Sequence, residues 1–223
     1  MSRSSELNVR LKTLLSYYYY GAVHRHPSIF TFDGERYRYL YHKYNGTWRS
    51  ERAVEVPIVW QWMQKYSGAK VLEVGNVLSH YNPARHTILD KYEHAPGVIN
   101  TDVVEFQPRE QYDLIVSIST MEHVGFDETP RDDSKLLRGV SNLRSLLAPG
   151  GILLMTLPIG QNPKVAELVD SKQLSFDRMG CLKKISRSNK YEQTNWAEIR
   201  EARYDEPFPC ANGLVIGRFS KQR

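Results

Sequence analysis

Between residues 70 and 157 the chain repeats one pattern: a short, nearly continuous apolar run, then a polar or turn-forming stretch. Runs over 70–75, 86–90, 98–104, 112–119 and 151–157 lack the alternation of a half-solvated strand. They predict strands buried on both faces, as in a parallel sheet. Before the last of them, over 132–147, Leu136, Leu137, Val140, Leu143, Leu146 and Leu147 recur at helical spacing. Asp132, Asp133 or Ser134 can cap that helix, and Pro149-Gly150 can stop it. Strands alternating with such helices indicate an open α/β sheet with right-handed crossovers. Runs over 181–188 and 214–220 predict two further strands. Residues 193–204 between them read equally as helix or as extended chain. The expected fold is a doubly wound, Rossmann-like, mostly parallel seven-stranded sheet with one antiparallel strand near the C-terminus.

The pattern changes near residue 68. Residues 1–67 read as an N-terminal helix/hairpin extension packed as a cover on the same domain, and 68–223 as the main domain. Leu7, Leu11, Leu14, Leu15 and Tyr18 form one helical stripe. Asp33-Gly34 between alternating aromatics is a hairpin signal. Residues 54–65 predict a helix with Pro57 in its first turn.

Composition narrows the function classes. Thirty Lys and Arg against 25 Asp and Glu give a net charge of +5. That excess permits nucleic-acid binding without demanding it. The only concentrated basic stretch, Arg178, Lys183, Lys184, Arg187 and Lys190, reads as a solvated strand face, so nucleic acid is not the expected partner. The two cysteines, Cys181 and Cys210, belong to no Cys/His cluster with metal-ligand spacing. No run is long and apolar enough to span a membrane. Residues 1–22 lack the aliphatic stretch of a signal peptide, and a cytoplasmic chain is expected. An oligomer is compatible with all of this.

In an open α/β sheet, ligands bind outside the carboxyl ends of the strands. The residues at those ends are Glu73-Val74-Gly75-Asn76, Asp90 to Glu93, Thr101-Asp102-Val103, Ser119 to Gly125, and Leu157 to Gly160. This order resembles the class I S-adenosylmethionine-dependent methyltransferases over residues 70–160. The carrying blocks are VLEVG at 71–75 (opening VLEVGNVLSHY), Asp90, the Asp102 region, YDLIVSISTMEHVG at 112–125 and LAPGGILLMTLPIG at 147–160. The resemblance implies S-adenosylmethionine as cofactor. Gly75 and Asn76 would face its methionine end and Asp90 its ribose, with Glu93 the alternative. Asp102 would meet the adenine amino group and Val103 the ring, and Ser119 belongs to the same edge. Glu73 is either a ligand or a hydrogen-bond partner for turn amides. Where the family carries E-x-G-x-G-x-G, this chain has Gly75, Val77 and Ser79. A valine resists positive φ, so the turn must differ in shape.

The implied reaction is methyl transfer to a small polar acceptor, with a hydroxyl of a sugar or related metabolite favoured. A hydroxyl needs a general base. His123 and Glu122 are the candidates, with His80 behind them; His123 reads equally as a packed histidine. Asp127, Glu128, Asp132 and Asp133 are either oxygen ligands for a cation or a solvated helix start, and no metal is expected. Tyr17 to Tyr20, Tyr37, Tyr39, Tyr41, Tyr44 and Trp48, with Asn45, Arg49, Glu51, Arg52 and Glu55, suit an acceptor pocket or equally a packed hairpin. Arg49 and Arg52 also suit a phosphate or carboxylate. The alternatives are an RNA or DNA methyltransferase, for which Pro209-Cys210 is the one nucleophile-like pair, and a non-catalytic module on a degenerate sheet. The absence of GxGxxG argues against a nicotinamide dehydrogenase.

Overall fold

A computed structural model describes residues 15–19 and 29–222. Leu7, Leu11, Leu14 and Tyr20 lie outside the described residues, while residues 15–19 are helical. Strands β1 (Ile29–Phe32) and β2 (Glu35–Arg38) pair antiparallel. They turn at Asp33 and Gly34, whose φ values of 50° and 79° suit the right-handed twist of the flanking strands. Helix α1 (Arg52–Lys65) follows. Then come β3 (Val71–Val74), β4 (Thr87–Leu89), β5 (Val98–Ile99), β6 (Tyr112–Ile118), α2 (Lys135–Ser145), β7 (Leu147–Pro158) and α3 (Pro163–Asp170). The chain ends with β8 (Arg178–Lys184), β9 (Tyr191–Thr194) and β10 (Gly213–Ser220).

The main sheet has eight strands in the order β5-β4-β3-β6-β7-β10-β8-β9. The first five are parallel, and β10 runs antiparallel to both β7 and β8. The eighth strand, β9, forms a hairpin on β8 just before and into the ambiguous stretch. The buried Tyr191 fixes it there, its hydroxyl donating to Ala211 O at 2.8 Å.

Both faces of this sheet are covered. Consecutive β6 residues point to opposite layers, which explains their unbroken apolar run. Leu114, Val116 and Ile118 meet α1 and the hairpin through Val54, Ile58, Phe30 and Tyr37. Ile115 lies on the other face in the cluster with Leu136, Val140 and Leu143 of α2 and Val165 and Leu168 of α3. Among the described residues no helix is long and apolar enough to cross a membrane.

Four details depart from the sequence expectation. The run over 98–104 pairs only at Val98–Ile99. Asp102 turns the chain there: its carboxylate accepts from Val104 N, and its carbonyl accepts from Glu105 N and Phe106 N. The connections from β3 to β4, β4 to β5 and β5 to β6 hold no α-helix, only the 3-10 turn Leu78–His80. Those segments lack an apolar helical stripe, and Pro83 interrupts the first. Strand β8 begins at Arg178 rather than at 181 and stops before the turn at Asn189, whose φ is 61°.

The fourth concerns Pro57, which sits inside α1 rather than in its first turn, because the helix begins at Arg52. A proline has no N–H to give the carbonyl four residues back. That carbonyl, of Ala53, instead accepts from Leu40 N at 2.9 Å. The helix defect thus becomes the tie that fastens the exit of β2 to α1. We expect the Leu40 amide, which lies outside any strand, to exchange hydrogen as slowly as the amides of β6. Exchange at the rate of exposed loop amides would show that the tie does not hold in solution.

Candidate active site

The chain order reverses between β3 and β6, the topological switch point at which open α/β sheets bind ligands. Two cavities open there. The first, of about 570 Å³, lies outside the ends of β3, β4 and β6. Val74, Leu89, Val103 and Val124 give it apolar walls, and Asp90, Glu93 and Asp102 line it with carboxylates. The second, of about 480 Å³, is polar, with Asn45, Arg49, Glu51, Arg52, Glu122, Gln161 and Tyr204 around it. Both are lined by Ser119 and His123.

The turn after β3 uses positive φ only at Gly75, where φ is 86°, while Val77 stays at −99°. A Cβ on Gly75 would fall within 2.2 Å of Thr120 Oγ1. Glycine is therefore required by both conformation and space. Glu73 is fully buried and does not line the cavity. Its Oε1 accepts from Val77 N (2.9 Å) and Leu78 N (2.7 Å), and its Oε2 lies 2.6 Å from His86 Nε2. Of its two sequence readings, the geometry matches the partner of turn amides. Asn76 is also set back, its Nδ2 donating to Glu93 Oε1 at 2.7 Å.

Asp90 lines the cavity and also holds its rim. Its carboxylate accepts from Asn76 N (3.0 Å), Tyr92 N (2.9 Å) and Glu93 N (2.8 Å). That uses three of the roughly four acceptor positions of a carboxylate. Asp102 and Glu128 face Lys91 and Lys135, with Lys91 Nζ 2.9 Å from Asp102 and 3.2 Å from Glu128. Burial pushes the Asp102 carboxyl up, but hydrogen bonds from Lys135 and Lys91 outweigh it and hold the group at about 2.

At the end of β6, Ser119 adopts a φ of 39°, a conformation that costs a non-glycine residue and is kept only when its surroundings enforce it. The enforcing groups come from α1. Arg52 Nη1 donates to Ile118 O at 2.9 Å and to Glu55 Oε2 at 3.0 Å, and Ser119 Oγ donates to Glu55 Oε1. Burial pushes the Glu55 carboxyl up, against the pull of Arg52.

His123 stands where both cavities meet. Its Nδ1 is 2.6 Å from Asp127 Oδ2. An ionised carboxylate only accepts, so Nδ1 carries the proton and Nε2 is left as the acceptor in the neutral ring. Gln161 Nε2 lies 3.4 Å from that Nε2. The neighbouring Glu122 is fully buried, and neither of its carboxyl oxygens has a hydrogen-bond partner.

Other candidates are placed elsewhere. His80 is paired with Glu93 at 3.0 Å and stacks on Tyr44, and it lines neither cavity. Asp127 serves His123, Glu128 serves the lysines, and Asp132 and Asp133 pair with Arg138 and Arg131. Among the described residues no group of three or more His, Cys, Asp or Glu side chains is arranged to hold a metal ion. Cys210 lines the polar cavity, but burial pushes its thiol up to about 11, with Glu51 adding to the effect. It is therefore a poor thiolate nucleophile. The basic stretch is dispersed: Lys184 is buried, and Lys183 and Lys190 pair with Glu198 and Glu192.

No protein-family model matches the sequence, and a search of curated proteins finds no match. Solved structures of methyltransferases share the outline of the fold. The N-methyltransferase NodS from Bradyrhizobium japonicum matches with a TM-score of 0.44 at 14% identity, over 78% of this chain and 97% of that one. The sugar N-methyltransferase KedS8 from Streptoalloteichus sp. matches with a TM-score of 0.40 at 11% identity, over 78% of this chain and 89% of that one. Likeness at this level carries no argument about the site, and the functional reading rests on the geometry.

The Asp102 network has a pH signature. Its folded pKa lies below the ordinary value, so the stability it adds is full above about 3.8 and is lost as pH falls toward about 2. We expect Asp102→Asn to lower the Tm at neutral pH and to flatten the acid limb of the stability profile in that window. An unchanged acid limb would remove Asp102 from the groups that govern acid unfolding.

Proposed function

We propose that the chain catalyses S-adenosylmethionine-dependent methyl transfer to a small polar acceptor, with the donor in the apolar cavity and the acceptor in the polar one. The observation that carries this reading is the pair of unlike cavities lined in common by Ser119 and His123 at the switch point. The donor set suits the cofactor. Val103, Leu89 and Val124 offer apolar surface to an adenine, and Asp90 keeps an acceptor position for a ribose hydroxyl, with Glu93 beside it. Bound there, S-adenosylmethionine supplies an electrophilic methyl group on a sulfonium.

The chain's own part is alignment and proton removal. Walls shared by two cavities bring reacting groups together, and such orientation contributes much of the barrier lowering in a displacement. His123 takes the acceptor's proton at Nε2, while Asp127 holds the ring and stabilises the imidazolium that forms. A base so placed supports a hydroxyl acceptor, the class the sequence favours. Thr120 lies against Gly75 at the floor that the two residues share in the apolar cavity.

Two outcomes test this. S-adenosylhomocysteine should raise the Tm, adding about 2.7 kcal/mol at 100 times its Kd, while NAD adds nothing. No shift at millimolar concentration would sink the reading. Once an acceptor is identified, His123→Ala should lower turnover by about 10²–10⁴-fold, with binding of S-adenosylhomocysteine unchanged in calorimetry. Normal turnover would assign His123 to packing.

A further inference from the structure

We infer that the acceptor carries a protonated amine, received in the polar cavity by Glu122 with Glu51 beside it. This rests on the methyl-transfer reading above and adds a charged group by which the acceptor is held, distinct from the hydroxyl that receives the methyl.

Glu122 is the outlier of the site. It lines the polar cavity, its side chain is fully buried, and both carboxyl oxygens lack a hydrogen-bond partner. The nearest ionisable atom, His123 Nε2, is 3.7 Å from Oε1, beyond hydrogen-bond distance. A buried carboxyl left this way is costly, and such a group in a native fold calls for a ligand or another explanation.

The surrounding charges select the ligand. Three buried carboxyls, those of Glu51, Glu55 and Glu122, meet two cations, the buried Lys184 and Arg52, whose side chain is 12% exposed. Arg52 gives its hydrogen bonds to Glu55, Ile118 O and Ser119 O, and Lys184 Nζ gives its own to Arg49 O and Pro209 O. Neither cation reaches Glu122. Lys43 and Arg49 line the same cavity from exposed positions, where water screens them. With all three carboxyls ionised, the site is one positive charge short.

A phosphate or carboxylate placed against Glu122 would deepen that imbalance. A hydroxyl brings one donor and no charge. An ammonium brings several donors and the missing charge, and hydrogen bonds between ionised partners are roughly twice as strong as neutral ones. Burial pushes the Glu122 carboxyl well up, its own backbone amide and Arg52 oppose that, and Glu55 and Glu51 add to it. That push disfavours the ionised form of Glu122 in the free site, and an ammonium placed against it favours that form, so binding is coupled to loss of a carboxyl proton.

The test uses the full chain saturated with S-adenosylhomocysteine and matched probes: glucosamine against glucose, and ethanolamine against ethylene glycol. The amine member of each pair should bind at least about tenfold more tightly, as expected for a charged hydrogen bond. Glu122→Gln should abolish that preference while keeping S-adenosylhomocysteine binding. Calorimetry of the wild-type chain in buffers of different ionisation heat should show release of a proton on amine binding, which decides the matter if the variant does not fold. Equal binding within pairs, binding of neither member, a preference retained in Glu122→Gln, or no proton release would each overturn the inference. Absence of S-adenosylhomocysteine binding would instead sink the methyl-transfer reading itself.

Discussion

The ion pair between Arg52 and Glu55 holds the site's architecture in place. Both residues sit in the first turns of α1, yet their hydrogen bonds end on Ile118 and Ser119, at the carboxyl end of the central strand β6. The N-terminal layer is thereby joined to the switch point by charge-assisted bonds in a buried setting. Removing one partner of such a pair costs about 3–5 kcal/mol, because the survivor is left charged and unpaired. The same contacts enforce the left-handed conformation of Ser119, which brings Thr120 against Gly75. A helix that precedes the sheet in sequence thus decides how the sheet's central edge is shaped.

From that edge follows a division of labour between two spaces. On one side, apolar walls are framed by carboxylates whose charges are already answered by backbone amides or lysines. On the other, polar side chains crowd together and one carboxyl, Glu122, is unanswered. Low dielectric strengthens every interaction in both spaces. It also makes any uncompensated buried charge expensive.

The sequence carried the fold wherever burial alone dictates it. The β6 and β7 runs read as strands because both their faces are covered, and the Leu136-to-Leu147 stripe read as a helix because only one of its faces is. Asp33-Gly34 announced its turn through backbone preference. The leucine stripe was read too far, however: the helix ends at Ser145, Leu147 opens β7, and Pro149-Gly150 lie inside that strand, because Leu147 pairs with Tyr112 of β6. What escaped otherwise were features set by partners distant in sequence. Strand β9 depends on Tyr191 finding Ala211, β5 stops early because Asp102 captures the next amides, and Pro57 is tolerated mid-helix because Leu40 takes the orphaned carbonyl. At the site, the carboxylates at the strand ends were visible, but their commitments were not. Lys91 and Lys135 reach Asp102 from other loops, and Glu122 is distinguished only by what it fails to touch. The four-residue spacing of His123 and Asp127 was a local signal, since such spacing brings side chains together on one turn of chain.

The lack of helices between β3 and β6 has a thermodynamic consequence. While Leu72, Val74 and Leu89 of β3 and β4 lie in the core, the loops after β4 are held by polar bonds: Asp90 to three amides, and Asn100 Nδ2 to Asp90 O and Glu93 O. Segments built this way open locally at a lower free energy than the packed core around β6 and β7. The apolar cavity lies between those loops and the packed core. Under the proposed function, a cofactor bound in that cavity would tie those loops to the core and serve as a missing piece of core as well as a reactant.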